Sequence, residues 1–322
     1  MTVFIDHHAV GRVLTFSDCI TLLEEVSRHE ARGETFVSPR SNSNFRRGSM
    51  RFLFAADYAH GFGASKAYHT IEGVGTRYLV SLIDLRSGAL LALIDGRQIT
   101  DFRTGAASGV VARRMPFAAP VSVGILGSGH QARAQLECLA SVYRIAEASV
   151  FSPTPENREA FARHMSAKLG IAVAPAATAE AAVRGRAIVI AASKSRSAEP
   201  VVRPPWLADC RLLCAVGNTR PQFAEIDPRC CEDARLVVVD SPHAIEEAGE
   251  LIQAAAAGFL PAKKCMTLAA LSAGETQIPS DGLIIFKSVG TALQDLALAR
   301  HCYEILREQT GIPALPDLHC GG

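Results

Sequence analysis

The residues Val121-Ser122-Val123-Gly124-Ile125-Leu126 form an apolar strand that runs into Gly127-Ser128-Gly129-His130-Gln131-Ala132, and helical periodicity follows over 130–142. A strand, G-x-G-x-x-A and a helix in immediate succession leave little choice of local structure. Gly127 permits the tight turn, Gly129 lets the backbone approach a pyrophosphate, and Ala132 allows the helix to pack closely on the strand. The phosphates then lie at the helix N-terminus, where backbone N–H groups and the macrodipole favour an anion. A bare glycine-rich turn carries no such meaning; the flanking strand and helix select the dinucleotide fingerprint. Candidate cofactor residues are therefore Gly127, Ser128, Gly129, His130, Gln131 and Ala132.

The hydrophobic period keeps alternating beyond this unit. Strand patterns at 148–151, 187–191, 212–216, 236–239 and 283–286 are interleaved with helical ones that include 155–169 and 179–184. That succession predicts βαβ units and a parallel sheet. Upstream, Pro116 and Ala118-Ala119-Pro120 interrupt an Ala-rich helix over 100–115, which sets a domain boundary there. Before the boundary, a helix capped by Ser17 carries Ile20, Leu22, Leu23 and Val26 on one face and ends at Gly33. Short runs at 51–55, 63–70, 78–84 and 89–94 then read as an antiparallel meander with a turn at Ser87-Gly88. A final helix over 289–307 is expected to return to the first domain. The fold class is α/β.

Composition narrows the class of ligand. A net charge of +1, with 48% hydrophobic and 20% charged residues, allows a sizeable core and supplies no field that would draw the chain to nucleic acid or anionic lipid. The start, MTVFIDHHAV, has no basic region followed by a long apolar stretch, and nowhere do about eighteen uncharged apolar residues run together. A cytoplasmic protein acting on a small molecule is expected, with no membrane or nucleic-acid partner. Cys19, Cys138, Cys210, Cys214, Cys230, Cys231, Cys265, Cys302 and Cys320 form no C-x-x-C pair and mostly sit in apolar segments. They read as buried reduced thiols, and no metal site is expected.

The second strand of a dinucleotide unit ends in Asp or Glu about twenty residues after the glycines when it binds the ribose 2′-hydroxyl. Here the strand ends Phe151-Ser152-Pro153-Thr154 without an acid. Ser152 and Thr154 can hydrogen-bond a 2′-phosphate, and Arg158 either reaches it or decorates its helix, so NADPH is favoured over NADH.

A hydride acceptor must be held and polarised, which directs attention to cations in uncharged surroundings. Lys66 stands in Gly61-Phe62-Gly63-Ala64-Ser65-Lys66-Ala67-Tyr68-His69, where burial would lower its pKa, although a strand-edge lysine can also snorkel. Arg103 near a helix start opposes the dipole unless an anion is close, or unless it is an ordinary surface arginine. His69 is a candidate proton source as well as an ordinary packing residue. Arg46, Arg47 and Arg51 could meet a second acidic group of a substrate, but a solvated basic loop accounts for them more simply.

Taken in order, Ser38-Pro39-Arg40, Met50, the strand around Lys66, Arg103-Thr104-Gly105-Ala106-Ala107-Ser108, the loop at 127–132, and Lys287-Ser288-Val289-Gly290 with Asp295 resemble the ornithine cyclodeaminase and mu-crystallin family over nearly the whole chain. The resemblance implies a homodimer in which a Rossmann dinucleotide-binding domain, 116–291, is inserted in an α+β substrate and dimerisation domain, 1–115 with 292–322. It implies a substrate site of Arg40, Met50, Lys66 and Arg103, with Lys66 catalytic, and cofactor contacts from Thr104 at a phosphate, Thr219, and Val289 at the nicotinamide.

One position bears on the reaction. After the strand at 212–216, the family's cyclodeaminases have an Asp suited to proton or water chemistry, whereas this chain reads Gly217-Asn218-Thr219-Arg220-Pro221. Thr219 aligns with that Asp, and a one-residue slip would put Asn218 there. Neither is a general base near neutral pH. The expected activity is NAD(P)H-dependent reduction of a small α-imino acid, or its reverse. The rivals are ornithine cyclodeamination and a non-catalytic protein that holds NADPH and a small carboxylate. No Tyr-x-x-x-Lys pair supports a short-chain dehydrogenase.

Overall fold

The computed structural model describes residues 2–118, 120–193, 199–274 and 276–316, so Cys320 and the end of the chain lie outside the described residues. Two compact units emerge, one formed by Met1–Arg103 with Thr291–Gly322 and the other by Thr104–Gly290. The division falls inside a helix, earlier in the chain than the proline interruption at Pro116.

The first unit opens with β1 (Thr2–Ile5), α1 (His7–Val13) and α2 (Phe16–Ala31). Thr15, not Ser17, caps α2. Its hydroxyl accepts from the Asp18 amide and donates to the Asp18 carboxylate, a reciprocal pairing that Ser17, one residue before Asp18, has the wrong spacing to make. Then come β2 (Thr35–Val37), β3 (Ser41–Phe45), β4 (Gly48–Asp57), β5 (Phe62–Ile71), β6 (Gly75–Asp84), β7 (Leu90–Asp95) and α3 (Gly96–Ala112). The antiparallel ladder of β4, β5 and β6 pairs Leu53 with Lys66 and Lys66 with Val80, so these three share a face.

The second unit contains β8 (Val121–Leu126), α4 (His130–Val142), β9 (Ile145–Phe151), α5 (Pro155–Leu169), β10 (Ala172–Pro175), α6 (Ala179–Val183), β11 (Ile188–Ala191) and β12 (Leu212–Ala215). It continues with α7 (Cys230–Asp233), β13 (Ala234–Val239), α8 (Ala244–Glu247), α9 (Gly249–Ala256), β14 (Cys265–Thr267), α10 (Leu268–Ala273) and β15 (Leu283–Lys287). The eight strands are parallel, in the order β10-β9-β8-β11-β12-β15-β13-β14. The winding direction reverses between β8 and β11, and a doubly wound sheet binds its ligand beyond the strand ends at such a switch point. Buried Val123, Ile125, Val150, Ile190, Leu213 and Ile285 form the near-continuous apolar strands that a sheet covered on both faces requires.

The chain then returns to the first unit with α11 (Ala292–Leu306) and β16 (Ala314–Leu315), completing the order β16-β1-β7-β6-β5-β4-β2, with β3 on β4. Helix α11 packs on β5 and β4 and is buried along most of its length. Among the described residues no helix is long and apolar enough to cross a membrane. No disulfide joins the described cysteines, and all but Cys265 are buried. Burial pushes the Cys214 and Cys302 thiols up to about 12, so these are packing groups rather than nucleophiles.

Candidate active site

Strand β5 delivers Lys66 to the face covered by α11, where it is 2% exposed. Its ammonium donates to Asp295 Oδ1 at 2.6 Å and to Thr100 Oγ1 at 2.7 Å. Asp295 lies in the first turn of α11, whose N-cap Thr291 accepts from the Gln294 amide. Thr100 lies on α3 and back-bonds to Gly96 O at 2.6 Å. Arg103, one turn further along α3, sets its buried Nε 3.6 Å from the same Asp295 oxygen, beyond hydrogen-bonding range. Two cations thus converge on one carboxylate oxygen. The rings of Tyr78 and Tyr68 lie 5.2 and 6.0 Å from Lys66 Nζ and wall the cluster.

Burial drives the Lys66 pKa down from 10.5 to about 8; Asp295 opposes the fall, and the Arg103 and Arg40 charges deepen it. Those last two effects show that the structure brings Arg40, Lys66 and Arg103 into one electrostatic neighbourhood. An ammonium has three N–H bonds, and Asp295 and Thr100 take two. Strand period separates the other candidates. Met50 pairs in register with His69, both on the face opposite Lys66, and Met50 is 38% exposed, so neither joins the cluster. Arg51, which the sequence assigned to a solvated loop, lies instead on the Lys66 face, its guanidinium 5.7 Å from the Tyr68 ring centre and its Nε donating to Asn42 at 2.8 Å.

In the parallel-sheet unit, the glycine loop tests whether a dinucleotide fits. Gly127 has φ +110°, and a Cβ there would stand 2.4 Å from the Ala192 carbonyl oxygen, so only glycine makes this turn. A Cβ on Gly129 would meet nothing within 4 Å, and Gly129 caps α4 without a side-chain acceptor. Open backbone at a helix start, with Ala132 fully buried behind it, suits a pyrophosphate. His130 and Gln131 occupy the same first turn. At the tip of β9, Ser128 Oγ donates to Ser152 Oγ at 3.0 Å, and Arg158 Nη1 donates to the Ser152 carbonyl at 2.9 Å while lying over the Phe151 ring. Thr154 is the exposed N-cap of α5. Thr104 is buried on α3, its carbonyl accepting from Gln135 at 2.9 Å.

Buried acids shape the remaining loops. Asp240, at the end of β13, accepts from Ser288 Oγ at 2.6 Å, Val289 N at 3.0 Å and Gly290 N at 2.7 Å, which fixes the backbone of Val289. Lys287 pairs with Glu250 at 2.6 Å and donates to Asn218 O at 2.6 Å. Glu225 accepts from Ser193 and from Gly217 N at 2.7 Å, and burial raises its pKa. The Asn218 amide is committed to Glu250 at 2.9 Å and to the Phe223 carbonyl, whereas Thr219 is half-buried. No carboxylate occupies the 217–221 segment.

Sequence reasoning gave no role to Asp295, Thr100 or Asp240. Only Asp240 leaves a local signal, an acid ending the apolar run Val237-Val238-Val239.

A family model described as "Ornithine cyclodeaminase/mu-crystallin family" matches residues 1–310. A Delta(1)-pyrroline-2-carboxylate reductase of Bacillus cereus is 30% identical over 239 residues, spanning 73% of this chain and 71% of that protein. The solved Delta(1)-pyrroline-2-carboxylate reductase of Thermococcus litoralis, in complex with NADH and L-proline, superposes with a TM-score of 0.90 at 27% identity, covering 97% of this chain and 100% of the other. An archaeal alanine dehydrogenase dimer with bound NAD gives 0.88 at 25% identity, covering 97% and 99%. This chain belongs to the ornithine cyclodeaminase/mu-crystallin family.

Proposed function

We propose that the protein is an NAD(P)H-dependent reductase of a small α-imino acid, working through the Lys66 cluster. The carrying observation is the buried lysine held at the edge of neutral-pH titration by one carboxylate, with two guanidinium groups in its field. Arg40 and Arg103 pair with the substrate carboxylate, which fixes orientation as well as charge. The N–H of Lys66 that Asp295 and Thr100 do not take is assigned to the imine nitrogen. When bound, the reduced nicotinamide supplies the hydride to the imine carbon. As the C=N bond becomes C–N, Lys66 gives its proton to nitrogen, and a lysine with a pKa of about 8 regains one from water near neutral pH. His69 lies on the other face, so the proton falls to Lys66. Asp295 keeps the lysine charged between turnovers.

Gly127, Gly129 and the first turn of α4 hold the pyrophosphate; Thr104, Thr219 and Val289 line the remainder of the cofactor. Ser152, Ser128 and Arg158 at an acid-free strand tip favour the 2′-phosphate of NADPH over NADH. The Rossmann role is assigned to the parallel-sheet unit, and the substrate and dimerisation role to the other. In the latter, Phe36, Phe52 and Leu79 are 48%, 46% and 43% exposed on the sheet face opposite Lys66. An apolar face of this kind, in a relative of a dimeric dehydrogenase, supports a homodimer; Phe52→Glu should leave a monomer in sedimentation. Buried reduced thiols fit a cytoplasmic setting.

Cyclodeamination is disfavoured because Thr219 and the committed amide of Asn218 offer no base. The test is an absorbance assay of NADPH and NADH with Δ1-pyrroline-2-carboxylate, beside L-ornithine with catalytic NAD. Stoichiometric oxidation in the first arm with little ammonia in the second is expected; rapid ammonia release from ornithine would overturn the assignment.

A further inference from the structure

Among residues given no role above, Glu25 and His29 stand one turn apart on α2, and His60 lies in the turn between β4 and β5. One ligand atom from each lies within 4.8 Å of the others. His60 Nε2 is already 3.4 Å from Glu25 Oε1. A zinc-type ion with bonds of about 2.0–2.1 Å holds tetrahedral ligands roughly 3.4 Å apart, so small side-chain rotations close the set.

The surroundings match what such an ion needs. Asp57, 3% exposed at the end of β4, accepts from both imidazoles, with Oδ2 at 2.6 Å from His60 Nδ1 and Oδ1 at 3.1 Å from His29 Nδ1. A carboxylate at both Nδ1 atoms holds the proton there and leaves the lone pair on each Nε2, the arrangement that prepares histidine as a metal ligand. Asp57 is itself fixed by the Ala59 amide at 3.1 Å. Glu25 is steadied by Arg300 of α11 at 3.3 Å through Oε2. The Glu25 and His60 side chains are 39% and 22% exposed, which leaves a path for the ion.

We propose that Glu25, His29 and His60 form a divalent transition-metal site of zinc type, with Asp57 as the carboxylate that orients both histidines. Two imidazole nitrogens and a carboxylate oxygen favour zinc over magnesium or calcium, which take oxygen ligands. The ion would staple α2 to the turn that leads into β5, the strand carrying Lys66.

The test uses the full chain, free of any affinity tag, stripped with a chelator and titrated with ZnCl2 by calorimetry. The variants are Glu25→Gln, His60→Ala and Asp57→Asn, with His8→Ala as a control for surface histidines. One equivalent of zinc is expected, with affinity falling at least about a hundredfold in His60→Ala, about ten- to a hundredfold in Asp57→Asn, and unchanged in His8→Ala. Co²⁺ should give the visible absorption of a low-coordinate site in the parent and lose it in Glu25→Gln, a change in a partly exposed side chain that tests ligation even if a histidine variant unfolds. MgCl2 should not compete. Absence of saturable zinc binding, or zinc binding that survives both Glu25→Gln and His60→Ala, would overturn the assignment.

Discussion

Replacing Asp295 with Asn removes the charge that sustains Lys66 while keeping the size of the side chain and an acceptor oxygen. At 2.6 Å and an effective dielectric of ~20 the bare attraction is about 6 kcal/mol, and relaxation reduces it. Carboxylate partners at such distances typically move a pKa by about 1–3 units. Lys66 titrates at about 8 in the parent protein. The variant's lysine should therefore titrate between about 5 and 7, and the charged fraction at pH 7 should fall about two- to a hundredfold. Reduction of a cyclic imino acid, followed by nicotinamide absorbance from pH 5.5 to 9, reads this directly. The parent kcat/KM should decline as pH rises through about 8, because the reaction uses the protonated lysine. In Asp295→Asn the decline should move to lower pH, and acidification should recover much of the lost rate. The substrate's own protonation is common to both proteins and cancels in the comparison. A decline that stays at the same pH in both would refute the assignment of Lys66 as the titrating group.

The same shift carries a stability consequence of definite sign. The folded-state pKa of Lys66 lies below its ordinary value, so folding opposes the charged form at every pH below about 8. A fall from 10.5 to about 8 corresponds to about 3 kcal/mol, a penalty relieved as pH rises from about 8 toward 10.5. Asp295→Asn should enlarge that penalty near neutrality, and thermal denaturation across the range separates this effect from a loss of catalysis.

Arg103→Leu should abolish turnover while leaving dinucleotide affinity near the parent value by calorimetry; unchanged kcat/KM would remove Arg103 from the carboxylate clamp. Gly129→Val should leave the melting temperature nearly unchanged, since its side chain enters open space, yet weaken NADPH at least about tenfold. Gly127→Ala, forced to φ +110° against the Ala192 carbonyl, should destabilise by about 2 kcal/mol or more in chemical denaturation. Arg158→Ala should weaken NADPH by about tenfold, roughly 1.4 kcal/mol, and NADH hardly at all; equal losses for both would withdraw the 2′-phosphate assignment.

The parallel sheet was legible because its strands announce themselves locally. Val121-Ser122-Val123-Gly124-Ile125-Leu126 carries both its burial and its turn chemistry within one run of sequence, and the helix over 155–169 matches α5. The short elements were not. β1, α1, β2, β3 and β10 span too few residues for a hydrophobic period to show, and β10 is defined by pairing with β9 rather than by its own Ala172-Val173-Ala174-Pro175. Met50 and Lys66 illustrate a different limit. Lys66 was placed on a strand and Met50 just before one, but the relative face of residues on two strands depends on register, and only the pairing of Leu53 with Lys66 puts Met50 on the far side.

Asp295 marks the deepest limit. An acid in the first turn of a helix needs no explanation beyond the helix dipole, and a capping Thr291 four positions earlier makes the local account complete. Its partner Lys66 lies 229 positions away, so nothing near either residue in the chain reports the other. What the sequence did report was an anomaly on one side of the pair, a lysine inside an apolar strand. A buried cation is sustained only by a counter-charge or by giving up its proton, so unless the lysine snorkelled from a strand edge the anomaly required either an acid from elsewhere or a lysine neutral at pH 7. The structure supplies the acid, yet burial still holds the lysine's pKa near 8, and the Arg103 guanidinium beside the same carboxylate oxygen deepens the fall. A substrate carboxylate arriving at the guanidinium groups adds the second anion that this shared arrangement lacks, and so binding itself should raise the Lys66 pKa and hold the proton in place until the hydride arrives.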